Sequence, residues 1–313
     1  MQKKIAIIVG ASWQDGTILT ELLQSSGYAL IALSRTGIRY IGMESWVEHI
    51  DILNPTHVQD LVSTYTPDEL YYLAAYHHAA EEKAPEDSVL YGNSRAIHCD
   101  GYFNFLRAVS AFSPHTRVCY ASSCLIYEGS ATTIQNEETL PVPLSPYAIT
   151  KLEWMHLWKW YMHTYGVSVV NAILYNHESE YREKKFLSMK VILGAKAIVE
   201  WRQSELIIWN AHASIDQWSA WDYCRAMHML VQNHASWDFI LASGERHTVQ
   251  DLLEIVFSYY WLEWSKYVRI SDDIQLRKTG ILHGDTSKIF SEIWWKPSQD
   301  YTGVIREIIQ KVS

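Results

Sequence analysis

The sequence predicts an α/β protein, a doubly wound parallel sheet with a smaller mixed α/β lobe after it. Three observations carry that expectation. Short β-branched runs alternate with helical stretches over the first half of the chain. A glycine-bearing turn, Gly10-Ala11-Ser12-Trp13-Gln14-Asp15-Gly16, joins the first of these runs to the first helix. Further on, Ser145-Pro146-Tyr147-Ala148-Ile149-Thr150-Lys151 opens a helix that carries a tyrosine and a lysine four residues apart, on one face.

Residues 4–9 read as a buried parallel strand, apolar and without alternation. Residues 10–16 make the turn, and 17–25 continue as a helix that Gly27 stops. Residues 28–34 form a second strand and 46–50 a third, closed by Asp51-Ile52. A helix at 55–65 leads to a fourth strand at 69–74, which ends in Leu73-Ala74 and is followed by Ala75. A long helical stretch covers 88–110, a fifth strand 117–121, the Tyr147 helix runs to about 165, and a sixth strand covers 168–174. After Asn176 the rhythm changes. Helices at 186–200 and 218–232 flank a short strand at 206–209; a strand at 239–241, a helix at 248–260 and an amphipathic helix at 301–312 follow. The expected division is 1–176 for the parallel sheet, Tyr147 helix included, and 177–313 mainly for the second lobe. Ligands of such sheets sit at the carboxyl ends of the strands, which puts the cleft between the lobes.

A chain of 313 residues is long enough for one large or two modest domains. Lys and Arg number 26 against 35 Asp and Glu, a formal charge of −9, which argues against a nucleic-acid surface. An anionic ligand must then be held by local donors. No apolar run approaches the roughly 20 residues of a membrane span. Met1-Gln2-Lys3-Lys4 leads directly into the first strand with no visible signal peptide, so a cytoplasmic location is expected. Cys99, Cys119, Cys124 and Cys224 lack metal or redox spacing and read as buried reduced thiols. His77 and His78 are adjacent at a strand end, so they point opposite ways, and no third ligand is near in sequence; no metal is expected.

A free phenol, with a pKa of about 10, is a poor base at neutral pH. An ammonium beside it favours the phenolate, so Tyr147 with Lys151 is a plausible acid/base for a hydroxyl proton. The glycine turn has the setting of a dinucleotide loop, with pyrophosphate at a helix N-terminus, although its middle position holds Trp13. Asp51 and the Leu73-Ala74-Ala75 run are placed to line an adenosine. The second strand ends Ser34-Arg35 with no acidic residue for a ribose hydroxyl. An arginine there suits a 2′-phosphate, which favours NADP over NAD.

With these residues in place the chain resembles the extended short-chain dehydrogenase/reductases, the NAD-dependent epimerase/dehydratase family with a Rossmann-like sheet, and within it the GDP-mannose 4,6-dehydratase type. The markers are Gln14-Asp15-Gly16, Pro67-Asp68-Glu69, Leu73-Ala74-Ala75, Ser145-Pro146-Tyr147 with Lys151, Leu174-Tyr175-Asn176-His177-Glu178-Ser179, His247-Thr248-Val249, Gly284-Asp285-Thr286-Ser287-Lys288 and Trp295-Lys296-Pro297. The resemblance spans nearly the whole chain. It implies that Tyr147 takes the proton of a sugar 4-hydroxyl while the C4 hydride goes to NADP. Water is then lost from C5–C6 and the hydride returns at C6. It implies Ser123 on the 4-oxygen, Lys151 on the tyrosine and the nicotinamide ribose, and His177 and Arg182 near the nicotinamide end. Asn176, Lys190 and Arg277 are implied near the nucleotide diphosphate of a GDP-sugar, and the protein is implied to be a dimer or tetramer of identical chains.

Two positions depart from the pattern. Leu125 stands where the dehydratase carries a carboxylate two residues after its Ser or Thr, and leucine moves no protons. Glu128 is the nearest acid in sequence. Ile215 stands where an arginine meets the diphosphate. A 4-keto GDP-sugar reductase or epimerase needs Ser, Tyr and Lys without that carboxylate, and a paralogue that binds without turnover is the non-enzyme alternative. Trp13, Trp201, Trp209, Trp218, Trp261 and Trp294 fall where the family has glycine, and the chain has as many tryptophans as glycines, 14 of each. Glycine codons read as tryptophan would produce this pattern. If the indole at 13 is real, weak cofactor binding is expected.

Overall fold

The computed structural model describes residues 3–76, 85–271 and 280–312. His77, His78 and Arg277 lie outside the described residues. Strands β1 (Ile5–Val9), β2 (Ala29–Ser34), β3 (Gly37–Ile41), β4 (Glu69–Tyr72), β5 (Arg117–Ser123) and β6 (Ser168–Leu174) build most of one sheet. Between them run α1 (Gln14–Ser25), α2 (Pro55–Tyr65), α3 (Asp87–Arg95), α4 (Tyr102–Phe112) and α5 (Pro146–Tyr165).

Strand order β6-β5-β4-β1-β2-β3 reverses direction at β1, the switch point that opens a crevice at the carboxyl ends. All these pairs are parallel except β2–β3, a hairpin at the edge. The pleat sorts the core. Ile7, Val9, Leu70, Tyr72, Val118 and Tyr120 meet the layer that includes α2, α4 and α5, while Ala6, Ile8, Tyr71, Cys119 and Ala121 meet the opposite layer. Burial on both faces explains why these strands read as unbroken apolar runs.

The third strand is a correction. Residues 44–50 have no regular structure, and β3 occupies the sheet edge instead. Asp51 accordingly ends no strand. Its side chain accepts a hydrogen bond from the Leu53 amide (2.9 Å), just before Asn54 caps α2.

After residue 176 the chain forms β7 (Asn176–Glu178), α6 (Leu187–Val199), β8 (Leu206–Ile208), β9 (Ser214–Ile215), β10 (Gln217–Ser219) and α7 (Ala220–Gln232). It continues with β11 (Trp237–Leu241), β12 (His247–Thr248), α8 (Val249–Tyr259), β13 (Val268–Ile270), α9 (Ser287–Ile293) and α10 (Tyr301–Val312). β11 pairs in parallel with β6, making it the seventh strand of the first sheet, and α7 packs beside α1 under that sheet. Three two-stranded pairs, β10–β7, β12–β9 and β13–β8, with α6, α8 and α10, form the remainder.

Three of the six tryptophans singled out in the sequence have left-handed backbone: Trp201 (φ 58°), Trp261 (φ 60°) and Trp294 (φ 54°); Trp237 joins them at φ 102°. Trp13 (φ −87°) does not, and Trp209 and Trp218 are not among the positive-φ residues. Among the described residues no helix is long and apolar enough to cross a membrane, and all four cysteines are buried and free of disulfides.

Candidate active site

A cavity of about 170 Å³ lies at the carboxyl ends of β1, β4, β5 and β6. Of the predicted site residues, Trp13, Gln14, Asp15, Leu73, Ala75, Ser123, Tyr147, Lys151, Asn176, His177 and Arg182 line it, and so does Leu125. The structure adds Ser122, Cys124, Tyr175 and Phe186, which no spacing rule singles out. Lys190 lies on α6, its ammonium 5.2 Å from the Trp209 ring, outside the wall. Asp51 and Ile52 are also outside; the Ile52 carbonyl accepts from Asn104 (3.0 Å). Ser12 and Arg35 are exposed at the rim, with the Arg35 guanidinium 5.9 Å from the Trp13 ring. Ile215 is paired in β9 with β12. A larger hollow of about 850 Å³, near Lys4, Asp68 and His115, holds none of the predicted residues.

The first turn is built as a tight cradle. Gly10 has φ 96°, and a methyl group on it would come 2.8 Å from the Ala74 amide nitrogen; one on Gly16 would collide with the Gly10 carbonyl. Ala74 thus packs against the turn. Gln14 is held at both ends of its amide, donating to the His177 carbonyl (3.1 Å) and accepting from Ser179 (2.9 Å). The backbone of this turn fits a pyrophosphate at the N-terminus of α1. The Trp13 indole does not, because it occupies the wall where that group must approach.

His177 binds Asp15 through Nε2, 3.0 Å from each carboxylate oxygen, and its Nδ1 donates to the Tyr175 carbonyl at 2.6 Å. Burial alone would raise the Asp15 carboxyl, but His177 and then Arg182 outweigh it and hold it below its ordinary value. Burial would likewise lower His177; Asp15 outweighs it and the imidazole is raised. Among the described residues the only carboxylate on the cavity wall is therefore committed to an ion pair.

α5 starts where the sequence places it. Ser145 caps it by accepting from the Ala148 amide (3.3 Å), Pro146 takes the first position, and Gly166 (φ 69°) ends it. One turn in, the Lys151 ammonium lies 5.8 Å from the Tyr147 ring centroid and donates to the Ala121 carbonyl at 2.6 Å. The expected electrostatics are corrected. Burial pushes the Tyr147 phenol up, with a hydrogen bond to Ser123 and the charge of Arg182 only partly offsetting it. Burial also brings Lys151, 1% exposed, down to about 7. Desolvation thus outweighs the mutual help that the i, i+4 spacing suggests.

Glu128 does not reach the cavity. Its carboxylate accepts from the Leu144 amide and the Ser145 hydroxyl, both at 2.7 Å, and is buried there. Among the described residues Leu125 therefore has no acidic substitute on the wall. Nor does any group of three or more described His, Cys, Asp or Glu residues lie where it could hold a metal.

A seven-stranded Rossmann-like sheet, with a serine at one strand end facing a Tyr-x-x-x-Lys helix, is the arrangement of the short-chain dehydrogenase/reductases. The sequence profile of "GDP-mannose 4,6 dehydratase" matches residues 7–308. The chain belongs to the GDP-mannose 4,6-dehydratase family and is an enzyme of that type. "GDP-mannose 4,6 dehydratase 2" of Arabidopsis thaliana is 30% identical over 99% of this chain and 87% of its own length. "GDP-mannose 4,6-dehydratase" of Sinorhizobium fredii is 28% identical over 99% and 96%. Among solved structures, RMD from Pseudomonas aeruginosa complexed with NADPH superposes with a TM-score of 0.82 at 21% identity, covering 99% of both chains. UDP-glucose 4-epimerase of Thermus thermophilus with NAD gives 0.79 at 18%, covering 98% of both.

Proposed function

We propose that the protein oxidises C4 of a GDP-hexose with NADP and that water is then lost from C5–C6 with return of the hydride at C6, giving the 4-keto-6-deoxy sugar, the reaction of the dehydratase family. The carrying observation is the convergence of Ser123, Tyr147 and Lys151 on one cavity at the strand ends. NADP, when bound, supplies the hydride acceptor and donor. Tyr147 takes the proton of the 4-hydroxyl as the phenolate, a form that the Ser123 hydrogen bond and the Arg182 charge favour against the burial that opposes it. Ser123, already hydrogen-bonded to that phenol, holds the sugar oxygen in line. Lys151 anchors the base of the tyrosine and the ribose of the cofactor. Gly10, Gln14 and Gly16 shape the phosphate cradle, and Arg35 at its rim suits a 2′-phosphate. Asn176 faces the sugar nucleotide, with Lys190 and Arg277 assigned to its diphosphate. In this reading residues 1–176 supply most of the cofactor side and 177–313 mainly the sugar-nucleotide side. The protein works in the cytoplasm as a dimer or tetramer of identical chains.

A second reading, reduction or epimerisation of a 4-keto GDP-sugar without loss of water, is favoured by Leu125 on the cavity wall and by the commitment of Glu128 elsewhere. Incubation with GDP-mannose and NADP separates the two. A 4-keto-6-deoxy product establishes dehydration, turnover only of a 4-keto sugar with NADPH establishes the second reading, and binding without either reaction refutes both.

A further inference from the structure

We infer that His98 is a positioning residue that ties the loop after β4 to the first turn of the Tyr147 helix. The inference rests on the role proposed for Tyr147. His98 lies in a π-helical turn, Ala96–Gly101, inserted between α3 and α4, and its side chain is fully buried. Such turns cost regular hydrogen bonding and commonly mark functional positions. The Tyr76 amide donates to His98 Nε2 at 3.2 Å. A backbone N–H can only donate, so Nε2 carries no proton and the ring is the Nδ1–H tautomer. Nδ1 then donates to Thr150 Oγ1 at 2.8 Å. The Thr150 hydroxyl passes its own proton to the carbonyl of Tyr147 (3.0 Å) or Pro146 (3.2 Å). The imidazole also meets the Tyr147 ring edge-on, centroids 5.0 Å apart at 89°. One side chain thus fixes the cofactor-side loop at 73–76, the helix turn and the phenol ring.

The test compares His98→Leu, which removes both hydrogen bonds, with His98→Asn, which keeps one acceptor and one donor, and Thr150→Val, which cuts the far link. His98→Leu is expected to speed hydrogen exchange at the Tyr76 amide and to lower kcat about tenfold or more with the sugar KM little changed. His98→Asn is expected to restore most of both, and Thr150→Val to lower kcat while Tyr76 stays protected. A loss of thermal stability alone in His98→Leu, or His98→Asn no better than His98→Leu, overturns the inference. Exchange at Tyr76 is read without substrate, so an unchanged rate in His98→Leu overturns the inference whether or not turnover is found; if His98→Leu does not fold, an unchanged kcat in Thr150→Val overturns it.

A different observation carries a second inference. Trp201, Trp261 and Trp294 come just at or after the ends of α6, α8 and α9, where α1 and α5 use Gly27 (φ 83°) and Gly166 (φ 69°). At 95, 96 and 77% exposure their indoles gain little from packing. Trp237 has φ 102°, further still into the glycine region. We propose that residues 201, 237, 261 and 294 are glycine in the protein as its cell makes it, from UGA codons, and that residue 13 in the phosphate cradle is a fifth. UGA at those five codons, with UGG at Trp221 and Trp295, whose indoles donate to Glu180 and the Asp222 carbonyl, is the expected result. UGG at any of the five overturns it for that position. Trp13→Gly is expected to tighten NADPH binding at least tenfold; equal affinity overturns the role given to position 13.

Discussion

Lys151 offers a sharp test of the site's electrostatics, because burying an ammonium must show in the pH dependence of folding. Its ammonium is 1% exposed, with a single carbonyl acceptor, and its pKa falls from an ordinary 10.5 to about 7. The folded protein therefore binds fewer protons than the unfolded chain between about pH 7 and 10.5. Stability rises with pH through that window, and the penalty is present in full below it. At roughly 1.4 kcal/mol per pH unit the difference comes to about 5 kcal/mol. Lys151→Met removes the charge, keeps most of the volume and sacrifices one hydrogen bond worth about 1 kcal/mol. Urea unfolding at pH 6 should then show the variant more stable by about 3–4 kcal/mol, with the advantage shrinking to nothing by pH 10, while turnover is abolished. A parent whose stability is flat from pH 6 to 10, with a variant no more stable at pH 6, would refute the burial argument and with it the assignment of a desolvated lysine to the site.

Replacing Trp201, Trp237, Trp261 and Trp294 by glycine should relieve about 1–2 kcal/mol of backbone strain at each and raise the melting temperature markedly, measured by scanning calorimetry. Leu125→Glu should create or raise formation of a 4-keto-6-deoxy product by about 10²-fold or more in an assay with GDP-mannose and NADP. No gain would mean that more than the carboxylate is missing. Asp15→Asn should cost about 3 kcal/mol at pH 6 in urea unfolding. The pair's contribution needs Asp15 ionised, above its ordinary pKa of 3.8, and His177 charged, so the difference should narrow as pH rises past the raised pKa of His177.

Much of the sheet is legible because parallel strands buried on both faces leave unbroken apolar runs, as in Ile5–Val9 and Ser168–Leu174. The start of α5 is legible from Ser145 and Pro146 alone. What escapes is settled by pairing at a distance. Residues 46–50 are strand-like in composition, but the edge beside β2 is taken by Gly37–Ile41, whose hairpin carries only a weak turn signal. Nothing local assigns Trp237–Leu241 to the first sheet; only its register with β6 does. The same holds at the site. The i, i+4 spacing brings Tyr147 and Lys151 together, yet the balance between their attraction and the loss of water depends on what covers them. Spacing is equally silent on His98, because it lies in a π-helical turn.

Glu128 has a consequence for anyone who would re-engineer the segment before α5. Its carboxylate grips both Leu144 and the serine that caps α5, and its carbonyl accepts from the Gly280 amide at 2.7 Å. One acid thus fastens Leu144, the Gly280 backbone and the serine at the head of the Tyr147 helix to one another. A graft of a relative's residues 129–144 must therefore keep an acceptor that matches Glu128, or the helix that carries Tyr147 loses the partner of its capping serine.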